Sequence, residues 1–196
     1  MSMYQAQNFT HLLGLKGLSD ALLSNHFALY EGYVKNVNTL TDLLLLKEAG
    51  TPEYAELKRR FGWEWNGMRL HEYYFENLSK EAVSCDVSSA LYEGIVRDFG
   101  SFEQWEKDFR ATSAMRGIGW TILVREDSSD GKLLNVWIGE HDLGHLVGAV
   151  PLLVLDVFEH AFMLNYGIKR VDYIDAFFKA IHWEKVAERF DHARVH

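Results

Sequence analysis

The stretch from Leu152 to Tyr166, LLVLDVFEHAFMLNY, constrains this chain most, because it is almost wholly apolar and yet contains Asp156 and His160. A buried carboxylate is costly unless it is paired or bound to a cation. Pro151 precedes the stretch and Gly167 follows it, at positions typical of a helix start and a helix end. The sequence therefore predicts a buried helix on which Asp156 and His160, four residues apart, share one face and can bind one metal ion. The alternative for such a pair is a simple hydrogen bond inside the core.

Composition excludes several classes of protein. The chain has 196 residues, 48% of them hydrophobic and 24% charged, which is ordinary for a folded protein. Its net charge of −8 and the lack of a basic stripe argue against a nucleic-acid partner. The single cysteine, Cys85, excludes an intramolecular disulfide and fits a reducing compartment. No leader pattern and no apolar run of bilayer length is present, so we expect no membrane anchor and a cytoplasmic location.

Periodic apolar residues predict three helical segments in the first half of the chain. The first begins at Leu18 with Ser19 as its N-cap, the second follows Thr39, and the third runs from Glu53 to Leu78, with a break at Asn66–Gly67 left open.

His26 and His71 fall on the apolar faces of the first and third segments. A lone histidine there is more often a hydrogen-bonded core residue than a ligand. Together with Asp156 and His160, however, they form a set of three imidazoles and one carboxylate without any thiolate. Such a set suits iron or manganese, with zinc as the main competitor. The chain contains no HExxH, glycine-rich phosphate loop or GxSxG motif that would support another chemistry.

The second half mixes helices and strands. Polar residues 79–88 mark a boundary, and the segments that follow are predicted as helices Ala90–Phe99 and Phe102–Ser113, strands 120–125 and 132–138 joined by the SSDG turn at 128–131, and an amphipathic helical region at 171–190. We therefore expect an α+β fold. It has an N-terminal long α-hairpin domain, residues 1–83, and a C-terminal α/β domain with a small antiparallel sheet, residues 84–196.

Several segments resemble one known family. DVFEHAFMLNYGIKRVDYIDAFFKAIHWEKVAERF resembles the C-terminal signature of the iron/manganese superoxide dismutases, and HFALYEGYVKNVN, NGMRLHEYYF and GIGWTILV resemble other segments of that family in the same order. The likeness extends from about Leu18 to Phe190. It implies a helical hairpin and an α/β domain with the metal between them. It also implies dismutation of superoxide to oxygen and hydrogen peroxide by redox cycling of one Fe or Mn per chain, with His26, His71, Asp156 and His160 as ligands.

The resemblance also implies catalytic roles for three residues around the metal. Tyr33 matches the family's gateway tyrosine, which relays protons, and Trp120 walls the pocket. His141 stands where most members have a glutamine that donates to the metal-bound solvent, with His145 as the alternative donor. The simpler interpretation of either histidine is that it is an ordinary residue on the surface of a loop, with no role at the metal.

Two further residues have implied roles at the surface. Glu159 resembles the residue that reaches across a dimer interface to the partner's ligand histidine, so we expect a homodimer. Arg170 is the best candidate by family position for attracting superoxide, which is an anion. Whether the assembly is a dimer or a tetramer is left open.

Some positions depart from the family pattern. His26 and Tyr33 are seven residues apart instead of eight, which indicates a regular helix without a π-bulge. The second gateway pair is replaced by Leu29 or Tyr30 and by Met163, while Phe158 and Phe75 stand in place of tryptophans. The residue types at positions 67 and 141, Gly67 and His141, do not indicate whether the metal is iron or manganese. Two alternatives therefore remain, a metal-binding relative with another oxygen chemistry and a non-enzymatic structural role.

Overall fold

The computed structural model describes residues 3–127 and 130–193, and its elements confirm the predicted α+β class. The helices are α1 Asp20–Leu46, α2 Pro52–Glu76, α3 Ala90–Phe99, α4 Phe102–Ser113, α5 Met163–Tyr166, α6 Arg170–Phe178 and α7 Trp183–His192, and the strands are β1 Gly119–Glu126, β2 Leu133–Gly139 and β3 Ala149–Asp156. No helix in these ranges is long and apolar enough to cross a membrane.

Helices α1 and α2 form a long antiparallel hairpin. Ser19 and Thr51 cap them, each accepting a hydrogen bond from the backbone N–H three residues later. The predicted separate helix after Thr39 was wrong. Thr39 and Thr41 donate their hydroxyls to the carbonyls four residues earlier, so both are accommodated within one continuous helix. Helix α2 likewise continues through Gly67, and α1 is regular between His26 and Tyr33, as their spacing predicts.

The second half contains a three-stranded antiparallel sheet in the order β2-β1-β3. The predicted helices α3 and α4 are confirmed at both ends, with Ser101 capping α4 through the N–H of Gln104. The hairpin of β1 and β2 is also confirmed. Of its SSDG turn, Ser128 and Ser129 lie outside the described residues. The amphipathic region at 171–190 divides into α6 and α7.

The helix predicted from Leu152 to Tyr166 was wrong. Its first part is the end of strand β3, and only a single 3₁₀ turn, Glu159–Ala161, and the four-residue α5 follow. A continuous apolar run does not distinguish a buried strand from a buried helix, and this run is buried on both faces of the sheet. Pro151 is tolerated because it lies on an edge strand beside a bulge, where the register with β1 shifts.

The hairpin and the α/β region share one core, and a largely buried arginine connects them. Arg189 on α7 donates to the Asn77 side chain (2.5 Å), to the Leu152 carbonyl of β3 (2.8 Å) and to the Glu76 carboxylate at the end of α2 (2.7 Å). Its guanidinium therefore fixes the end of α2 against the strand that leads to Asp156.

We expect Arg189→Ala to lower the free energy of unfolding by about 3 kcal/mol, because it leaves a carboxylate and two polar groups without their partner. Urea unfolding measures this loss. Arg59→Ala is the control, since Arg59 pairs only with Glu56 and both side chains are 72% exposed. No measurable change is expected there, and equal losses in both variants would show that the buried network is not the cause.

Candidate metal centre

Four candidate ligands meet where the hairpin contacts the sheet. His26 comes from α1, His71 from α2, Asp156 from the last residue of β3, and His160 from the 3₁₀ turn that follows. Each offers one ligand atom, and all four atoms lie within 4.8 Å of one another. Asp156 and His160 are thus brought together by a strand end and a turn, not by one helical face.

The distances around Asp156 are those of a coordination shell. Its Oδ2 lies 3.1 Å from His26 Nε2, 3.2 Å from His160 Nε2 and 3.6 Å from His71 Nε2. Two ligand atoms bound at about 2.1 Å, at an angle of 90–120° at the metal, lie about 3.0–3.6 Å apart. The three distances from Asp156 Oδ2 to the histidines are therefore compatible with binding of one shared ion.

The state of His71 supports this fit. Its Nδ1 donates to the carbonyl of Gly67 at 2.6 Å, so in the neutral ring Nε2 carries a lone pair. That Nε2 is one of three buried side-chain polar atoms in the described residues that have no hydrogen-bond partner. A buried lone pair 3.6 Å from a carboxylate oxygen is repelled by it unless a cation lies between them.

Electrostatics favour the metal-binding forms of His26, His71 and Asp156. Burial lowers the pKa of His26, and it lowers the pKa of His71 further because the charge of His26 adds to the effect. Burial alone would raise the pKa of Asp156, but His160 and His26 hold it well below its usual value. The site thus combines an ionised carboxylate with two imidazoles, those of His26 and His71, that resist protonation, which is the form that binds metals.

His141 lies beside this shell and is fully buried. The indole N–H of Trp120 donates to its Nδ1 (3.0 Å), so the neutral ring carries its proton on Nε2, 2.8 Å from the Tyr33 hydroxyl oxygen. Burial lowers the pKa of His141 to about 4, so the ring is neutral near pH 7. The structure therefore joins Trp120, His141 and Tyr33, the three residues with implied catalytic roles, in one hydrogen-bonded chain.

Sequence reasoning missed Trp63, which packs its ring 4.4 Å from that of His141 and donates its indole N–H to Glu140 (3.1 Å). Glu140 is the one non-glycine residue with positive φ in the described ranges, so this bond anchors a strained turn next to His141. A signal existed, because Trp63, Gly67 and His71 recur every four residues on one face of α2.

Sequence reasoning also missed Tyr173. Its hydroxyl donates to the backbone carbonyl of Asp156 at 2.8 Å and thereby holds the end of β3. Nothing in the local sequence pattern separates this tyrosine from an ordinary core residue of α6.

The other predicted positions lie outside the hydrogen-bonded chain through His141, and two of them contact candidate ligands. His145 is on the loop surface, where its ring contacts the backbone carbonyl of His141. The Tyr30 hydroxyl donates to Glu72 (2.9 Å), Leu29 is half-buried, and Met163 is exposed. Phe158 stacks on both His141 and His160, and Phe75 packs edge-on to His26.

Glu159 and Arg170 border one surface. Glu159 is exposed, and Arg170 donates to the carbonyls of Met115 and Gly117, each at 2.7 Å. Four exposed apolar side chains line the same surface: Met115, Met163, Ile168 and Val171.

A cluster of three histidines and one aspartate, with no thiolate, that could hold one metal ion lies between a helical hairpin and an α/β region. A sequence profile described as iron/manganese superoxide dismutases, C-terminal domain, matches residues 87–189.

Relatives agree with that match over nearly the full chain. A superoxide dismutase [Fe] from Cupriavidus metallidurans is 40% identical, covering 90% of each chain. Superoxide dismutase [Mn] 2 of Haloferax volcanii is 36% identical over 90% of this chain and 88% of the relative, and an [Fe] enzyme of Aquifex pyrophilus is 34% identical over 98% and 94%. The chain therefore belongs to the iron/manganese superoxide dismutase family, and it is an oxidoreductase with iron or manganese as its cofactor.

We expect the metal-free protein to lose stability as the pH falls from about 6.5 to 4. An unfolded histidine has a pKa near 6.5, whereas that of His141 is about 4, so in this window the unfolded state binds the extra proton. His141→Gln keeps an acceptor and a donor but cannot titrate, and it should remove up to about 1.4 kcal/mol per pH unit from the slope. Urea unfolding from pH 7.5 to 4.5 measures this slope, and the exposed His11→Gln is the control. An unchanged slope in His141→Gln would contradict the prediction.

Proposed function

We propose that His26, His71, Asp156 and His160 hold one iron or manganese ion per chain and that the protein dismutates superoxide. The observation that carries the assignment is the buried Nε2 of His71, which faces the Asp156 carboxylate without a hydrogen-bond partner. When bound, the ion supplies the one-electron redox chemistry that converts superoxide to oxygen and hydrogen peroxide. In this proposal the ion lies between an N-terminal unit, residues 1–83, and a C-terminal unit, residues 84–196.

The protein's own part is to set the charge of the site and to supply protons. Asp156 places one negative charge in a buried site, which favours the more highly charged state of a cation. Hydrogen peroxide requires two protons. In this proposal the Tyr33 hydroxyl, hydrogen-bonded to His141 next to the ligands, relays them and is not itself the acid, because burial raises its pKa. His141 is a positioning residue in this scheme, because it orients Tyr33 without adding positive charge.

Metal content and dismutation measured on the same sample test this function. After separate reconstitution with iron and with manganese, we expect about one ion per chain, with activity in at least one form. His71→Ala should lose both the ion and the activity, because the remaining ligands leave one side of the shell open. His11→Ala, at an exposed histidine, should lose neither.

Two outcomes would contradict the proposal. An active, metal-loaded His71→Ala would overturn the ligand assignment. Full occupancy by either metal without dismutation would favour another oxygen chemistry. The specific observation behind that second candidate is the altered gateway, where Glu72 holds the Tyr30 hydroxyl and Met163 is exposed.

The surface around Glu159 supports a homodimer. Its exposed carboxylate is one residue from His160, and apolar side chains of α5, α6 and the turn between them surround it. Such a patch is typical of a contact surface. In the proposed dimer Glu159 reaches the partner's metal site, so each centre is braced by the other subunit.

We expect Ile168→Glu to convert the dimer to monomers, because it places a charge in the middle of this apolar surface. Sedimentation velocity measures the change. Val147→Glu is the matched control, since Val147 is also fully exposed but lies on the loop between β2 and β3. A dimer that survives Ile168→Glu and dissociates in Val147→Glu would place the interface elsewhere.

A further inference from the structure

Helix α2 carries two glycines, Gly62 and Gly67, in its interior. Neither has the positive φ that would require glycine. Glycine weakens a helix relative to alanine, so an interior glycine with ordinary helical geometry needs another reason. The two sites differ in what a side chain would meet there. A Cβ at Gly62 has no heavy atom within 4 Å, whereas a Cβ at Gly67 would lie 2.7 Å from both Cδ1 and Cε1 of Tyr33 and 3.2 Å from its Cγ.

Tyr33 has little room to avoid such a Cβ. Its ring stacks on His71, with centroids 5.1 Å apart and planes at 30°, and is bordered by Trp63 at 5.7 Å and His141 at 5.0 Å. The contact would involve Cγ and one edge of the Tyr33 ring, not the hydroxyl, so a change at the tip of the side chain cannot relieve it. Rotation about the long axis of the ring leaves Cγ in its close contact, so the whole ring must shift, and such a shift displaces the hydroxyl relative to His141 Nε2.

Gly67 also contacts the candidate shell directly. Its carbonyl accepts the hydrogen bond from His71 Nδ1, which leaves Nε2 free to bind. A side chain at position 67 does not remove this backbone carbonyl. Substitution therefore separates two effects, because the ring of Tyr33 must move while the hydrogen bond that orients His71 remains.

We propose that Gly67 is a positioning residue, whose missing side chain makes the space in which Tyr33 stacks on His71 and hydrogen-bonds to His141. The consequence for turnover rests on the proposed function. The steric coupling between positions 67 and 33 does not, so it can be measured separately.

A double-mutant cycle on stability tests the coupling. Gly67→Ala should lower the unfolding midpoint, while the same change in a Tyr33→Ala background should be neutral or stabilising, because the ring is gone and alanine favours the helix. Gly62→Ala should raise the midpoint slightly in both backgrounds. If Gly67→Ala is equally destabilising with and without the Tyr33 ring, the proposal fails. If Gly67→Ala does not fold, Gly67→Ala/Tyr33→Ala must restore folding, and its failure to do so overturns the proposal as well.

Kinetics then test the positioning role in the metal-loaded enzyme. Gly67→Ala should keep the wild-type metal content but lower kcat about fivefold, the effect of losing one hydrogen bond in the rate-limiting state. The ratio kcat/KM should change less than about twofold, because the ligands and the approach of substrate are intact. Gly62→Ala should match the wild type in both. An unchanged kcat in Gly67→Ala overturns the positioning role, whereas an inactive, metal-loaded wild type would overturn the proposed function and leave the steric coupling standing.

Discussion

The buried carboxylate of Asp156 is the constraint on which the rest of the structure depends. It has no access to solvent and faces three imidazoles, one of which presents a lone pair and not a proton. A charge in this position is tolerated only if its oxygens are fully used. Oδ1 accepts from the N–H of Phe158, Oδ2 faces the histidines, and Tyr173 holds the backbone carbonyl. The end of β3, the turn after it and helix α6 are thus all organised around one ionised group.

The same arrangement places the site at the contact between the α-hairpin and the sheet. Two candidate ligands come from the α-hairpin and two from the end of the sheet, so an ion bound there would link the two parts. Metal affinity contributes to folding when the ligands come together only in the native state. Arg189 provides a second, metal-independent link between the end of α2 and β3. The ligand geometry therefore depends on contacts at some distance from the ligands.

Local sequence patterns correctly predicted those structural features that depend on interactions between residues close together in the chain. The cap at Ser19, the limits of α3 and α4, and the face of α2 that carries His71 all follow from neighbours within one or two turns. The helix predicted at Leu152–Tyr166 was wrong because burial on both faces removes the periodicity that identifies a strand. Asp156 and His160 were paired by helical spacing, and the structure brings them together by a turn. The bond between Trp120 and His141 joins a strand to a loop 21 residues away, and no local pattern predicts it.

The regular geometry of α1 and the single N–H of neutral His141 together determine which hydrogen bonds form beside the candidate ligands. Seven residues are nearly two full turns, so Tyr33 lies on the face of His26 and reaches His141. Tyr30, on the same face, is held by Glu72 and by the N–H of Gln7. A side-chain amide has two N–H groups, whereas neutral His141 has one, and Trp120 directs it to Tyr33. Because the Tyr33 hydroxyl accepts that bond, its own O–H is not used in bonding to His141 and remains available as a donor. The position of its ring, and hence the space at Gly67, therefore governs the proton supply in the proposed mechanism.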